Sequence, residues 1–167
     1  VRWLAAAAPD LAPALPDLAQ LLRDACDGCR GRADLEGKPW RDWLAGHLGR
    51  QGMAAIDEFA PERLQVPSGS WIRLDYGEAG KPPVLPVRLQ EMFGCTATPT
   101  VAGGRLKVLL HLLGPNYRPE QVTDDLAGFW VRTYPQVRKD LRGRYPKHSW
   151  PDDPLTAPAV AKGRPRQ

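Results

Sequence analysis

The apolar positions of the first sixty residues recur at helical spacing. Leu15, Leu18, Leu22 and Ala25 lie three or four residues apart, which predicts an amphipathic helix that ends at Gly28 and Gly31. A second helix is predicted from about Trp40 to Leu48, and a third covers about residues 51–59. In the second helix one face carries Trp40, Trp43, Leu44 and His47. Pro61 then ends the helical pattern.

Residues 64–113 show the shorter period of β-strands. The run "WIRLDY" alternates and places Ile72, Leu74 and Tyr76 on one face, opposite Trp71, Arg73 and Asp75. The run "VLPVRL" follows, and its Pro86 predicts an edge strand or a bulge. "LQEMFG" suggests a short helical turn closed by Gly94. "RLKVLLHLL" at 105–113 lies between two Gly-containing turns and predicts one further strand.

Helical spacing returns near residue 123. We expect Thr123 to cap this helix, with Asp124 and Asp125 in its first turn, where the helix dipole favours anions. Pro135 should kink or restart the helix, because proline lacks a backbone N–H. The next stretch carries Val137 and Leu141 at i and i+4 and should stop at Gly143. Extended chain is expected after Pro146.

These elements together predict an α+β fold in three parts. Residues 1–60 form a helical segment, and residues 61–132 form a β-rich accessory domain, with a small mostly antiparallel sheet and a following helix. Residues 133–167 form a basic helix and an extended Pro-rich tail. The sequence shows no internal repeat.

Charge is distributed unevenly over these parts. The net charge of the chain is +4, yet residues 130–167 hold nine Lys or Arg against three Asp. Residues 1–129 hold fourteen Lys or Arg against sixteen acids. A basic C-terminal end suits an acidic partner such as nucleic acid.

The stretch "LRGRYPKHSWPDDP" concentrates these charges and interleaves them with rings, which suits phosphate contact and base stacking. The candidate nucleic-acid-binding residues here are Arg138, Lys139, Arg142, Arg144, Lys147, His148 and Trp150. We expect Leu141, Tyr145 and Trp150 to pack on the domain while Arg142, Arg144 and Lys147 face outward. The alternative is a solvated basic helix end whose rings only anchor the tail.

Catalytic and metal-binding motifs are missing from the sequence. "EGKP" and "AGKP" contain Gly-Lys, but Pro follows where a phosphate-binding loop has Ser or Thr, and GxSxG is absent. His111 sits in an apolar run and is predicted to be structural. Cys26 and Cys29 form a CxxC, but the other candidate ligands are scattered singly, so zinc is not expected. A small metal-binding domain through these two cysteines stays the weaker alternative.

Composition limits the setting of the protein. No run of eighteen apolar residues exists, so no membrane association is expected. Three Cys, an odd number, predict a reducing, cytoplasmic location rather than a disulfide framework. The chain begins at Val1 rather than Met, and we expect either a piece of a longer protein or a processed chain.

Five runs carry a family resemblance: "ERLQVPSGSWIRLDY", "PVLPVRLQEMFG", "VLLHLLGP", "QVTDDLAGFW" and "VRKDLRGRYPKHSWPDDP". In this order they resemble the C-terminal region of the bacterial DEAH-box helicase family HrpB, over about residues 62–154. The resemblance implies that the intact protein is an ATP-dependent RNA helicase that uses ATP and Mg²⁺. It also implies that the motor domains lie upstream of Val1, so no catalytic residue and no cofactor is assigned to this chain. A protein-interaction or structural module without nucleic-acid contact is the alternative function.

Overall fold

The structure is a computed structural model that describes residues 1–14 and 17–161. Helices are concentrated in the first sixty residues: α1 (Arg2–Ala7), α2 (Leu18–Cys26), α3 (Arg32–Glu36) and α4 (Trp40–Phe59). The predicted helical segment is confirmed, although α1 was not anticipated. Leu15 and Pro16, which the first predicted helix included, lie outside the described residues. The side chain of Asp17 accepts a hydrogen bond from the Gln20 amide and so caps α2.

Helix α4 contains the break that the sequence predicted between its second and third helices. Gly49 has φ +66° and ψ −179°, a conformation outside the helical region. Only glycine adopts this conformation without strain, because it has no Cβ. Two helical pieces therefore meet at Gly49.

Short strands follow: β1 (Arg63–Gln65), β2 (Trp71–Arg73), β3 (Val84–Arg88), β4 (Thr100–Val101), β5 (Leu106–Lys107), β6 (Leu109–Leu113) and β7 (Pro119–Thr123). The pairs β1–β2 and β4–β5 are antiparallel hairpins. A third sheet has the order β3-β6-β7, with β3 parallel to β6 and β7 antiparallel to β6. The small sheets are thus antiparallel or mixed, and the α+β class is confirmed.

Strand β3 is an edge strand, as Pro86 predicted. The single strand predicted for residues 105–113 is wrong, because the chain changes sheets at Val108. Val108 is fully buried, and its amide donates to the carbonyl of Pro99 rather than to a strand partner. Strand β7 was not predicted. A 3₁₀ turn (Leu89–Met92) matches the predicted "LQEMFG" turn, and Gly94 after it has φ +77°.

The last helical region begins at α5 (Leu126–Gly128), widens into a π-helical turn (Phe129–Thr133) and continues as α6 (Tyr134–Arg144). Its cap is Asp125, whose carboxylate accepts from the Gly128 amide, so the predicted Thr123 cap is wrong. Pro135 stands in the first turn of α6, which confirms the predicted restart. The Tyr134 amide bonds to the Phe129 carbonyl, five residues back, and this wider turn accommodates a residue that has no N–H to donate.

One hydrophobic core draws on all parts of the chain. Trp3 and Leu4 of α1 are buried with Leu85 and Leu110 of the central sheet and with Tyr134. Within the described residues, no helix combines the length and the apolar character needed to cross a lipid bilayer. The core positions α6 and the chain after it, which hold the candidate site. The division of the chain at about residues 60 and 132 stays a prediction.

Candidate nucleic-acid interface

Helix α6 is held against the core by a few apolar side chains. Leu141 is fully buried, and Val137 packs beside it, as their i, i+4 spacing predicted. The helix continues to Arg144 and does not stop at Gly143. The Tyr145 amide closes it by donating to the Leu141 carbonyl at 2.7 Å.

The chain then turns back on its own helix. The carbonyl of Tyr145 accepts from the His148 amide at 3.1 Å and from the Trp150 indole N–H at 2.9 Å. Trp150 is 8% exposed, and Tyr145 packs against the core. The anchoring role predicted for Leu141, Tyr145 and Trp150 is confirmed, and the Trp150 ring is turned away from solvent.

The segment after Trp150 has no regular secondary structure but is tied down by hydrogen bonds. The Tyr134 hydroxyl donates to Pro151 at 2.9 Å, and burial raises the pKa of that hydroxyl above its ordinary value. The Gln90 side chain donates to the Ser149 carbonyl, and the Gly94 amide donates to the Pro154 carbonyl. The Val160 amide donates to the Gln90 carbonyl, so the segment belongs to the packed domain through residue 160. The rest of the predicted basic tail, residues 162–167, lies outside the described residues.

Arg138 has a structural position. Its side chain is 20% exposed, and its Nε donates to the Trp150 carbonyl at 2.9 Å. One terminal nitrogen pairs with an Asp152 carboxylate oxygen at 2.5 Å. Arg138 thus joins α6 to the returning segment, and Asp152 balances its charge.

Arg144 is also committed to a partner. It forms a two-point ion pair with Glu120 of β7, with distances of 2.8 and 3.3 Å, and Glu120 is only 12% exposed. The hydrogen bond that Arg144 donates to Glu120 raises the pKa of Arg144. Two residues of helix turn the chain by about 200°, so Arg142 and Arg144 lie on different faces of α6. The structure therefore does not show Arg142, Arg144 and Lys147 as one outward strip.

The remaining predicted cations are Lys139, Arg142 and Lys147. All three are exposed, and none has an ion-pair partner within the described residues. Arg142 and Arg138 line a groove of about 560 Å³ between α6 and the returning segment. Pro146, His148, Ser149, Trp150, Pro151 and Asp152 line the rest of it. We call this feature the α6 groove.

His148 lines the groove, and its ring lies near two other aromatic rings. Its ring centroid is 6.1 Å from that of Tyr145 and 6.3 Å from that of Trp150. Within the described part of the chain, its Nδ1 is the one buried side-chain nitrogen or oxygen without a hydrogen-bond partner. Of the predicted site residues, Arg138, Arg142, His148 and Trp150 are brought together, whereas Lys139 and Lys147 are not groove-lining and Arg144 points elsewhere.

Glu120 is the residue near this site that sequence reasoning missed. Its carboxylate fixes the position of the Arg144 side chain. Glu120 lies 24 residues upstream, in a strand that the sequence pattern did not reveal. The run "RPEQVT" shows too little alternation to signal its pairing.

The CxxC lies away from this region, at the end of α2. Cys26 is exposed, and the Cys29 thiol donates to the Ala25 carbonyl at 3.3 Å. His47 bonds to the Trp43 carbonyl and to Asp24; the carbonyl is the main reason that the pKa of His47 is raised. Within the described residues, no group of three or more His, Cys, Asp or Glu could hold a metal ion.

The fold and the site define an α+β accessory domain with a basic groove. The family described as ATP-dependent helicase C-terminal, HrpB, matches residues 21–154. The chain belongs to this family, and the resemblance found in the sequence is confirmed.

Similar proteins extend well beyond the part that this chain matches. The ATP-dependent RNA helicase HrpB of Escherichia coli (strain K12) is 51% identical over 104 residues, which is 62% of this chain and 13% of that protein. The crystal structure of the E. coli DExH-box NTPase HrpB matches with a TM-score of 0.79 and 39% identity, over 90% of this chain and 19% of that one. A crystal structure of the Escherichia coli DEAH/RHA helicase HrpB matches with a TM-score of 0.67 and 36% identity, over 88% of this chain and 19% of that one. The chain therefore spans less than a fifth of the proteins it matches.

Proposed function

We propose that this chain is the accessory C-terminal domain of a cytoplasmic ATP-dependent RNA helicase, and that it contacts RNA through the cations around the α6 groove. Support for the helicase assignment comes from the family match and from the similarity to the E. coli ATP-dependent RNA helicase HrpB. ATP and Mg²⁺ belong in this proposal to the motor domains of the intact protein. Both Gly-Lys pairs of this chain are followed by Pro, so its residues do not fit a phosphate loop.

The observation that supports the RNA contact is a set of basic side chains that have no acidic partner in the described structure. Lys139, Arg142 and Lys147 stay exposed and unpaired in the described structure, whereas Arg138 and Arg144 are neutralised by Asp152 and Glu120. Exposed cations without internal partners suit a phosphate backbone, which is held mainly by charge. Binding through them should be weak, tolerant of sequence and dependent on salt.

A triple variant tests this contact. In Lys139→Ala/Arg142→Ala/Lys147→Ala we expect weaker binding to a labelled single-stranded RNA and a log K against log salt slope flatter by roughly two to three phosphate contacts. The measurement is fluorescence anisotropy at two or more salt concentrations. Because the three side chains are exposed, the urea midpoint should stay unchanged.

The matched control is Arg32→Ala, which removes an exposed arginine that pairs with Glu36 within α3. RNA affinity equal to wild type in the triple variant, with normal folding, would reject the RNA contact at α6.

A second candidate function is packing against other domains of the intact protein. An open groove of about 770 Å³ between α4 and strands β2 and β3 favours it, since Met53, Ile56, Leu74, Tyr76 and Pro86 supply apolar lining. Charged residues of both signs complete the lining, namely Arg41, Asp57, Glu62, Arg73 and Asp75, and this mixture suits a protein surface. If this second function is correct, the α6 triple variant has the same RNA affinity as the wild type. Substitutions in the groove between α4 and the strands weaken association with the motor domains.

A further inference from the structure

The outer face of the β1–β2 hairpin carries an uncommon set of side chains. The register pairs Arg63 with Arg73, Leu64 with Ile72 and Gln65 with Trp71. Leu64 and Ile72 turn inward and pack against the core. Side chains alternate across a strand, so Arg63, Gln65, Trp71 and Arg73 share the opposite face, and all four are exposed. We call these four residues the hairpin face.

Trp71 stands apart from the other tryptophans of the chain. Trp3, Trp130 and Trp150 are buried, and Trp40 and Trp43 pack on each other. Trp71 is 60% exposed, and within the described structure its indole makes no ring contact and no hydrogen bond. A ring of this size normally gains from burial, so its exposure on a strand is costly unless a ligand covers it.

The arginine pair on the same face is unfavourable by itself. Like charges directly opposite each other in antiparallel strands destabilise the pairing. The nearest acid is Glu62, which lies 3.8 Å from Arg73 Nε and also 3.5 Å from Arg41. Arg63 has no ion pair among the described residues, and Asp57 and Asp75 of the adjoining groove pair with neither strand arginine. An anion between Arg63 and Arg73 would relieve this repulsion.

The ring and the cations are spaced for one kind of ligand. Arg73 and Trp71 are two residues apart on one strand, which separates them by about 7 Å, a distance that one nucleotide can bridge from phosphate to base. A planar indole can stack only on a base that is already unpaired, so a single strand fits and a duplex does not. Gln65 beside the ring adds an amide that can donate or accept.

We propose that the hairpin face is a second RNA-contacting surface, on which Trp71 stacks with an unpaired base while Arg63 and Arg73 hold the adjacent phosphate. This inference rests on the proposed RNA-contacting function but uses none of the α6 cations. The RNA contact at the hairpin face and the RNA contact at α6 can therefore be tested independently.

The test compares two probes on the 167-residue chain: a fluorescein-labelled oligouridylate and an abasic oligomer of the same length. Trp71→Ala should weaken binding to oligouridylate by at least about fivefold and leave the abasic oligomer unaffected, because only the base stacks. Trp71→Phe should restore most of the loss. Arg63→Ala/Arg73→Ala should weaken binding to both probes and flatten the salt dependence.

Two controls match these variants. Tyr117→Ala removes another exposed ring, one that the Arg88 guanidinium already covers at 5.5 Å, and Arg32→Ala removes an exposed ion-paired arginine. Neither should change affinity for either probe.

The outcomes separate this inference from the proposed function. If Trp71→Ala binds oligouridylate like wild type while the α6 triple variant is weakened, the hairpin face is not an RNA site and its exposed ring is left for a protein partner. If Trp71→Ala binds oligouridylate more weakly than wild type and the α6 triple variant does not, the RNA contact at the hairpin face is supported and the one at α6 is rejected. If the wild-type chain binds neither probe at low salt, both RNA contacts are rejected.

Discussion

Glu91 shows how much one buried charge can organise. It is 4% exposed, and its carboxylate accepts from Arg88 Nε at 2.9 Å and from the Ser68 hydroxyl at 2.8 Å. Its backbone carbonyl also accepts from the Ser68 amide. The turn that joins β1 to β2 is therefore fastened to the 3₁₀ turn after β3. The buried carboxylate is tolerated because its hydrogen bonds and an opposite charge compensate for lost water.

Removing this carboxylate should be expensive. Glu91→Ala leaves Arg88 without its ion-pair partner in a mostly buried position and removes the carboxylate acceptor of the Ser68 hydroxyl, which keeps only its contacts with Ser70. We expect the free energy of unfolding to fall by about 3 kcal/mol, read from urea denaturation. The double variant Arg88→Met/Glu91→Leu should recover a large part of that loss, because an apolar pair of similar volume needs no charge compensation. A loss below about 1 kcal/mol in Glu91→Ala would show that water already compensates this pair.

At the scale of helices and strands, the sequence predicted those features that depend on residues close together in the chain. The break in α4, the edge position of β3 and the restart of α6 at Pro135 all follow from the backbone limits of Gly and Pro, which act locally. Strand β7 and the change of sheet at Val108 depend on partners distant in the chain. The same distinction between local and distant partners applies to the candidate site. The exposure of Arg142 follows from its position on the helix, whereas the ion pair of Arg144 with Glu120 depends on a distant strand.

Two glycines of α4 make a matched pair for testing the break. Gly46 lies in the helix with open space around an added Cβ, so Gly46→Ala should stabilise the protein by about 0.5–1 kcal/mol. Gly49 also has open space, but its φ of +66° strains any other residue. Gly49→Ala should therefore destabilise by about 1–3 kcal/mol. Thermal unfolding of both variants measures the contrast, and stabilisation by both substitutions would mean that α4 is continuous in solution.

At the scale of the whole molecule, the sequence offers no motif for a nucleotide site. We predict that the chain neither binds ATP tightly nor hydrolyses it, because tight binding needs backbone amides and a Lys arranged around the phosphates. The half-buried Lys38 follows Gly37 but precedes Pro39, and Lys81 pairs with Glu78 at 2.6 Å. Phosphate release and calorimetric titration with ATP provide the measurement. Turnover that survives repurification and substitution of Lys38 and Lys81 would contradict the prediction.

The hydrogen bonds of Gln90 have a consequence for how the protein is made. Gln90 is buried, and its side chain finds its acceptor at Ser149, 59 positions later, while its carbonyl accepts from the Val160 amide. A ribosome delivers the chain from its N-terminus, so the sheet and the 3₁₀ turn emerge well before these partners. Until Val160 is available, Gln90 must keep its bonds to water, and the surrounding core cannot close. Folding of this domain is thus completed by nearly the last residues synthesised among those described, and a nascent chain would expose apolar surface to chaperones until then.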